Sequence, residues 1–218
     1  IARENKEIVV ADPYIHPIFP LLPDRDKRLL AGIGLEAAAE DYGFYPKGFW
    51  LPETAVDKKT LNILSEKGID FVVLRDDQVI SDSASNSYTI PTDNGFIKAF
   101  TFDSELSGRV AFGDISDAYS FADRLAVKAR QNNGTMISVD FETFGHHRGK
   151  GSVEFLDYLL NKALPAEGFK SREIQSSNTA GLIRDNSSWS CSHNLGRWTG
   201  NCDCDGASYE TRSLKSSL

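Results

Sequence analysis

Residues 135–151, TMISVDFETFGHHRGKG, set Asp140 and Glu142 behind a run of apolar and small residues, then follow them with His146, His147 and Arg148 in a glycine-rich loop. On a strand that continued through them, Asp140 and Glu142 would share one face and Phe141 the other. Two carboxylates crowded on one strand end repel, which raises the pKa of one and suits it to act as a general acid. Far upstream, GFWLPETAVD places Glu53 after an apolar run and a proline, with Trp50 on the same short segment. An indole beside a carboxylate suits a sugar, because the ring stacks on the indole while the carboxylate works at the anomeric carbon. Glu53 and Asp140 together would supply the two-carboxylate apparatus of glycoside hydrolysis, one as nucleophile and one as acid/base. Plainer readings stand beside these: Glu53 as a capping carboxylate, Trp50 as a core side chain, and the histidines and Arg148 as a solvated loop rather than a shell that binds sugar hydroxyls.

Two further stretches could do chemistry. In ADPYIHPIFPLL, His16 lies between Pro13 and Pro17, whose rings fix their own φ and help hold the imidazole in place. In SSWSCSHNLGRWTGNCDC, Cys191, His193, Cys202 and Cys204 are four soft or borderline ligands that could close a tetrahedral structural zinc site. Their spacing, C-x-H then C-x-C, departs from the common C-x2-C knuckles; a substrate loop carrying Trp189, or simple buried thiols, are the competing readings.

Positioning these residues requires a scaffold of alternating elements. EIVVAD (7–12), GFWLPE (48–53), DFVVLRD (70–76), FIKAFTFD (96–103) and TMISVD (135–140) are short, apolar and acid-terminated, as expected of buried strands that open onto a polar site. Helical spacing runs through 25–43, 54–69, 115–131 and 152–164. This rhythm predicts βαβ units, parallel strands with flanking helices, and an α/β fold whose chemistry sits at the carboxyl ends of the strands. Acids at 12, 53, 76, 103 and 140 fall there, although an acid after a strand also serves as a helix N-cap. From about residue 166 the periodicity lapses into Ser, Asn and Gly, the texture of a loop-rich extension.

A length of 218 residues with 40% hydrophobic and 11% aromatic content suffices for one packed domain and is marginal for two, so one unit is expected. The formal charge of −7 is spread along the chain, which disfavours nucleic acid and anionic membrane surfaces as partners and fits a neutral, polyhydroxylated substrate. No apolar run reaches the roughly 18 residues a membrane span needs. The chain enters a strand-like run soon after Ile1, without a leader, which reads as a fragment or a processed chain. Three cysteines without a leader argue against a disulfide framework and for a reducing, cytoplasmic location.

With these stretches in view, the chain resembles glycoside hydrolase family 57, and most closely an uncharacterised branch carrying SWSC-x-H after the catalytic region. The resemblance covers roughly residues 9–205. PYIHPIFPLLPDRDK resembles the family's His-Pro-Ile-x-Pro-Leu-Leu segment, and GFWLPETAVD its W-L-x-E region, whose glutamate is the nucleophile; that role carries to Glu53. FDSELSGRVAF is similar to a later segment and places Asp103 near the site. VDFETFGHH resembles the D-x-E-x-F-G region, whose aspartate is the proton donor; that role carries to Asp140. The family's His-Gln-Pro on the first barrel strand is absent, the chain starting downstream of it.

The resemblance implies an incomplete (β/α)7-type barrel with N-terminal strand or strands missing and an irregular C-terminal extension. It divides the chain into a partial barrel catalytic domain over 1–165, a loop-rich segment packing on the site over 166–205, and a disordered tail over 206–218. It implies a retaining mechanism on α-glucans, by hydrolysis, branching or glucanotransfer, with Glu53 and Asp140 catalytic. His16, Trp50, Asp103, Glu142, His146, His147 and Trp189 would bind substrate. No cofactor is required, a structural zinc at the Cys/His loop aside, and the expected partner is carbohydrate rather than nucleic acid or membrane. Two rivals remain at this stage. One is a metal-dependent polysaccharide deacetylase with a cation among Asp140, His146 and His147. The other is a carbohydrate-binding or regulatory module without turnover.

Overall fold

Apolar and β-branched runs bounded by turn residues build a mixed sheet in the computed structural model, which describes residues 9–132, 134–169 and 176–204. Strands β1 (Val10–Ala11), β2 (Gly48–Phe49) and β3 (Phe71–Arg75) pair in parallel, with Val10 opposite Gly48 and Gly48 opposite Phe71. A short β4 (Val79–Ile80) follows β3. Strands β5 (Ser87–Thr92) and β6 (Gly95–Phe102) form an antiparallel hairpin around Asp93 and Asn94, and the sheet order is β1-β2-β3-β6-β5. Pro91 fits because β5 is the edge strand. Strand β7 (Leu182–Ile183) pairs antiparallel with β4.

The described residues gather into two compact units, where composition suggests one. The first comprises those up to residue 83, with 87–100 and those from 176 onward; the second comprises 84–86 and 101–169. Each has its own apolar cluster. In the first, Phe19, Phe49, Leu51, Leu64, Val72, Leu74 and Ile97 are buried, with the Phe19 and Phe49 rings meeting edge to face at 6.0 Å. Helices α1 (Asp24–Tyr42) and α2 (Lys58–Glu66) flank this core. A Cβ at Gly34 would sit 1.9 Å from the carbonyl oxygen of Asp12, so α1 packs against the segment leaving β1 only with glycine there. Between the helices, the buried Lys27 ammonium pairs with Asp57 at 2.7 Å. The same Asp57 accepts from the N–H of Thr60 at 2.8 Å as the N-cap, which is why α2 begins at residue 58 and not at 54 as its pattern suggests.

In the second unit, α3 (Ser104–Phe112), α4 (Ala118–Gln131) and α5 (Gly151–Tyr158) enclose Leu106, Val110, Phe121, Ala122, Phe155 and Leu159. Helix α5 continues through a π turn over Leu159–Ala163 into Leu164–Ala166, the widening that precedes Pro165, whose ring cannot join the regular ladder.

One expected element is corrected. Residues 135–140 are not a buried strand. Residues 135–139 are half-buried and Asp140 is exposed, and backbone groups of the segment bond at the start of α3 instead of in a ladder. Asp103 N–H donates to the Met136 carbonyl at 2.9 Å, and Ser138 N–H to the Ser107 hydroxyl at 3.1 Å. Apolar content marked only partial burial, and nothing in it encoded strand pairing. The strand alternation of Asp140 and Glu142 falls with it, because Phe141–Thr143 is a 3-10 turn and the Phe141 ring is 90% exposed.

Candidate active site

Glu53 lies just beyond β2, within the 3-10 turn Pro52–Thr54. Its φ of 58° and the 45° of Thr54 put two consecutive non-glycine residues in the left-handed region, a strained arrangement for an acid and more so for a β-branched residue. The segment 187–190 holds this turn in place. Ser190 donates its hydroxyl to Glu53 Oε2 at 2.5 Å, and the Glu53 carbonyl accepts from the Ser188 hydroxyl at 2.9 Å and the Trp189 N–H at 3.2 Å. Val56 and Ser187 exchange backbone hydrogen bonds at 2.9 and 3.2 Å. Beneath them the buried Gln78 accepts from the Thr54 hydroxyl at 2.6 Å and the Arg75 N–H at 2.9 Å, and donates to the Thr54 carbonyl at 2.8 Å and the Ser187 hydroxyl at 3.1 Å. Arg75 donates to the Trp189 carbonyl. Sequence reasoning missed Gln78, Ser188 and Ser190: the serines read as loop composition, and Gln78 carries no signal before its neighbours are known.

Around this turn, Asp12 and Asp76 also follow the parallel strands β1 and β3 directly. Trp50 is half-buried, and its N–H extends the pairing with a 2.7 Å bond to the Ala11 carbonyl. His16 is exposed on the irregular segment after β1. A surface depression bordered by Ile80, Asp82, Pro91, Phe96 and Leu182 lies elsewhere in this unit and contains none of the expected site residues.

Asp140, Asp103, Glu142, His146 and His147 belong to the second unit. Asp140 is exposed, its carbonyl accepting from Thr143 N–H at 2.9 Å. Glu142 organises a tight loop in which its carbonyl accepts from the N–H groups of His146 and His147, while its carboxylate lies 3.1 Å from His147 Nε2. The two imidazole rings are 5.0 Å apart. Asp103 caps α3, accepting from the Leu106 N–H at 2.8 Å, and pairs with Lys128 at 2.8 Å.

Cys191, His193, Cys202 and Cys204 converge in the first unit, each offering a ligand atom within 4.8 Å of all the others. The thiols are free, with Cys191 and Cys202 sulfurs 3.6 Å apart and His193 Nδ1 3.2 Å from Cys204 Sγ. Burial pushes the Cys191 thiol up, but the N–H groups of Arg197 and His193 together with the Cys202 and Cys204 thiols outweigh it and hold the thiol below its ordinary value. The Cys204 N–H pulls Cys202 down, yet burial and the neighbouring sulfurs prevail and push it up to about 11. Among the described residues, Asp140, His146 and His147 form no comparable group.

Helices flanking parallel strands, with acids at the strands' carboxyl edge, define an α/β chain laid out as the barrel enzymes are. The chain belongs to glycosyl hydrolase family 57, whose model matches residues 1–178. It is similar to alpha-amylase 1 of Dictyoglomus thermophilum, 24% identical over 150 residues, which is 66% of this chain and 22% of that protein. It thus spans about a fifth of the length of that curated relative. Among solved structures it resembles an exo-type maltose-forming amylase from Pyrococcus sp. ST04, with a TM-score of 0.74 and 21% identity over 90% of this chain and 40% of that one. It also resembles a branching enzyme from Thermococcus kodakaraensis, with a TM-score of 0.69 and 16% identity over 90% of this chain and 52% of that one. At such identities the structural likeness shows the fold.

Proposed function

We propose that this chain carries the catalytic acids of a retaining glycoside hydrolase or glucanotransferase acting on α-glucans, with Glu53 as nucleophile and Asp140 as acid/base. The observation that carries this reading is the strained turn at Glu53, braced from several sides with one carboxylate oxygen held by Ser190. Strain over-determined by its surroundings is a mark of functional sites. Family membership and an amylase among the relatives support the α-glucan substrate class.

In the proposed cycle, the Ser190 hydroxyl fixes Oε2 and so aims the other Glu53 oxygen at the anomeric carbon. The bond from that carbon to the leaving oxygen breaks as Asp140 gives the oxygen its proton, and a glycosyl ester forms on Glu53. Asp140, now a carboxylate, takes a proton from water or from an acceptor sugar hydroxyl, which attacks the same carbon and releases Glu53. Water gives hydrolysis; a sugar hydroxyl gives transfer.

The test is chemical. Glu53→Gln is expected to lower kcat on a soluble α-glucan by about 10³-fold or more, the scale of losing one member of a cooperating set, with an unchanged circular dichroism spectrum. Glu53→Ala supplied with azide should yield a glycosyl azide of inverted configuration, whereas the unaltered protein releases the retained anomer. Full activity in Glu53→Gln, an inverted first product from the unaltered protein, or activity abolished by chelators together with release of acetate from acetylated sugars would each overturn it.

A further inference from the structure

Cys191 follows directly on Ser190, the residue that holds the Glu53 carboxylate. We infer that Cys191, His193, Cys202 and Cys204 bind one zinc ion in a tetrahedral Cys3His site, and that this ion clamps the 187–190 segment against the Glu53 turn. The metal site stands on its own geometry; its consequence for turnover rests on Glu53 being the nucleophile.

The donor set fits zinc in type and in spacing. Three thiolates and one imidazole make a closed, structural set with no position left for water. A tetrahedron with Zn–S bonds of about 2.3 Å sets its sulfurs about 3.8 Å apart. The Cys191 and Cys202 sulfurs are 3.6 Å apart, and all four donors lie within 4.8 Å of one another. The same 3.6 Å is well beyond the roughly 2.05 Å of a disulfide.

The loop around the donors is shaped for close approach. The backbone N–H of Arg197 donates to Cys191 Sγ at 3.4 Å, an outer-shell bond that favours a thiolate. Gly196 leaves the needed room, since a Cβ there would meet Cys202 Sγ at 3.0 Å. The short helix Gly196–Thr199 and the turn after it bring Cys202 and Cys204 back across more than ten residues to meet Cys191 and His193. Beyond the bonds of 187–190 to the Glu53 turn, little regular structure holds residues 191–204, so the ion would cross-link that stretch.

The experiment uses the whole chain, purified without chelator and dialysed, with zinc measured per protein by mass spectrometry of the ions. About one zinc per chain is expected, falling to well below one in Cys204→Ser and in His193→Ala. Cobalt added to chelated protein should give the intense visible bands of a tetrahedral, thiolate-rich site, lost in the same variants. Glu53→Gln should keep the full zinc content and cobalt spectrum while losing turnover, so a failed metal site and a failed catalytic reading give different results. For the clamp, chelation or Ser190→Ala should lower kcat on a soluble α-glucan by about 10-fold or more with a smaller change in KM. Protein that holds no zinc and gives no cobalt bands while all three thiols titrate as reactive would overturn the site, as would a Cys191–Cys202 disulfide under reducing purification. Zinc present but removable with kcat unchanged would overturn the clamp.

Discussion

Glu53 and Thr54 both sit at positive φ, each costing of order 1–3 kcal/mol for a residue with a Cβ. Such a turn persists only where its surroundings leave it no alternative, and Gln78 is the residue that most constrains it. All of its polar atoms are used: it ties Thr54 to the start of the Asp76–Gln78 turn and to Ser187. Gln78→Leu would keep the volume while stranding the buried Thr54 carbonyl and the Arg75 N–H, each at about 1–3 kcal/mol. A fall of that size in the urea-unfolding free energy is expected, with a drop in kcat that exceeds any rise in KM. An unchanged stability would show that the turn holds itself. Ser190 is the complementary case, touching the carboxylate itself, so Ser190→Ala should disturb turnover far more than stability.

At the scale of elements, several acids serve as helix caps. Asp103, directly after β6, caps α3; Asp57 and Asp117, in loops, cap α2 and α4, Asp117 by accepting from the N–H groups of Tyr119 and Ser120. Asp103 also receives Lys128 of α4, whose ammonium reaches Glu105 at 3.1 Å as well, so one lysine ties α3 to α4. The bond to Asp103 holds the Lys128 pKa above its ordinary value, and the bond from Lys128 holds Glu105 below its own. The signs set a window. A raised lysine contributes stability that is complete below the unfolded value of about 10.4 and is lost as pH rises through the folded one; a lowered glutamate contributes stability present above about 4.3 and lost as pH falls through its folded value. The difference in unfolding temperature between the unaltered chain and Lys128→Met should be flat between about pH 5 and 9 and shrink on either side. A gap that persists unchanged in strong acid and strong alkali would mean the lysine acts through its methylenes alone.

Across the described residues there are two apolar clusters, one under the parallel strands and one among α3, α4 and α5. Residues 176–204 return to the first of them, pairing Ser177 with Ser87, Ala180 with Thr89 and Ser187 with Val56. Removal of the proposed zinc should therefore be felt in one unit only. Hydrogen exchange at the amides of Val56 and Trp189 is expected to quicken by about tenfold, a 1.4 kcal/mol loss of local stability, while the helices carrying Phe121 and Phe155 keep their protection. Equal loss of protection in both units would mean that the loop contributes to global unfolding rather than to its own surroundings. No described helix is long and apolar enough to cross a membrane.

The sequence by itself determined the α/β class, the family and most of the helices. Helical spacing and the acid-terminated apolar runs are local signals, each readable within a dozen residues, although the cap that starts α2 at residue 58 escapes them. The same local character explains what it missed. Helix α3 carries a central Gly108 and two serines that blur its period, and residues 135–140 look like a strand because half-burial along 135–139, not pairing, goes with their apolar content. The four metal-ligand types were legible from composition, but that their donor atoms meet depends on a turn no spacing rule encodes. Tertiary structure alone decided that Ser188 and Ser190 grip Glu53 and that Gln78 locks the turn beneath it. The serine contacts and the Gln78–Ser187 bond join residues more than a hundred positions apart, the Gln78–Thr54 pair residues 24 apart, and a hydrogen bond across either distance leaves no period in the sequence to read.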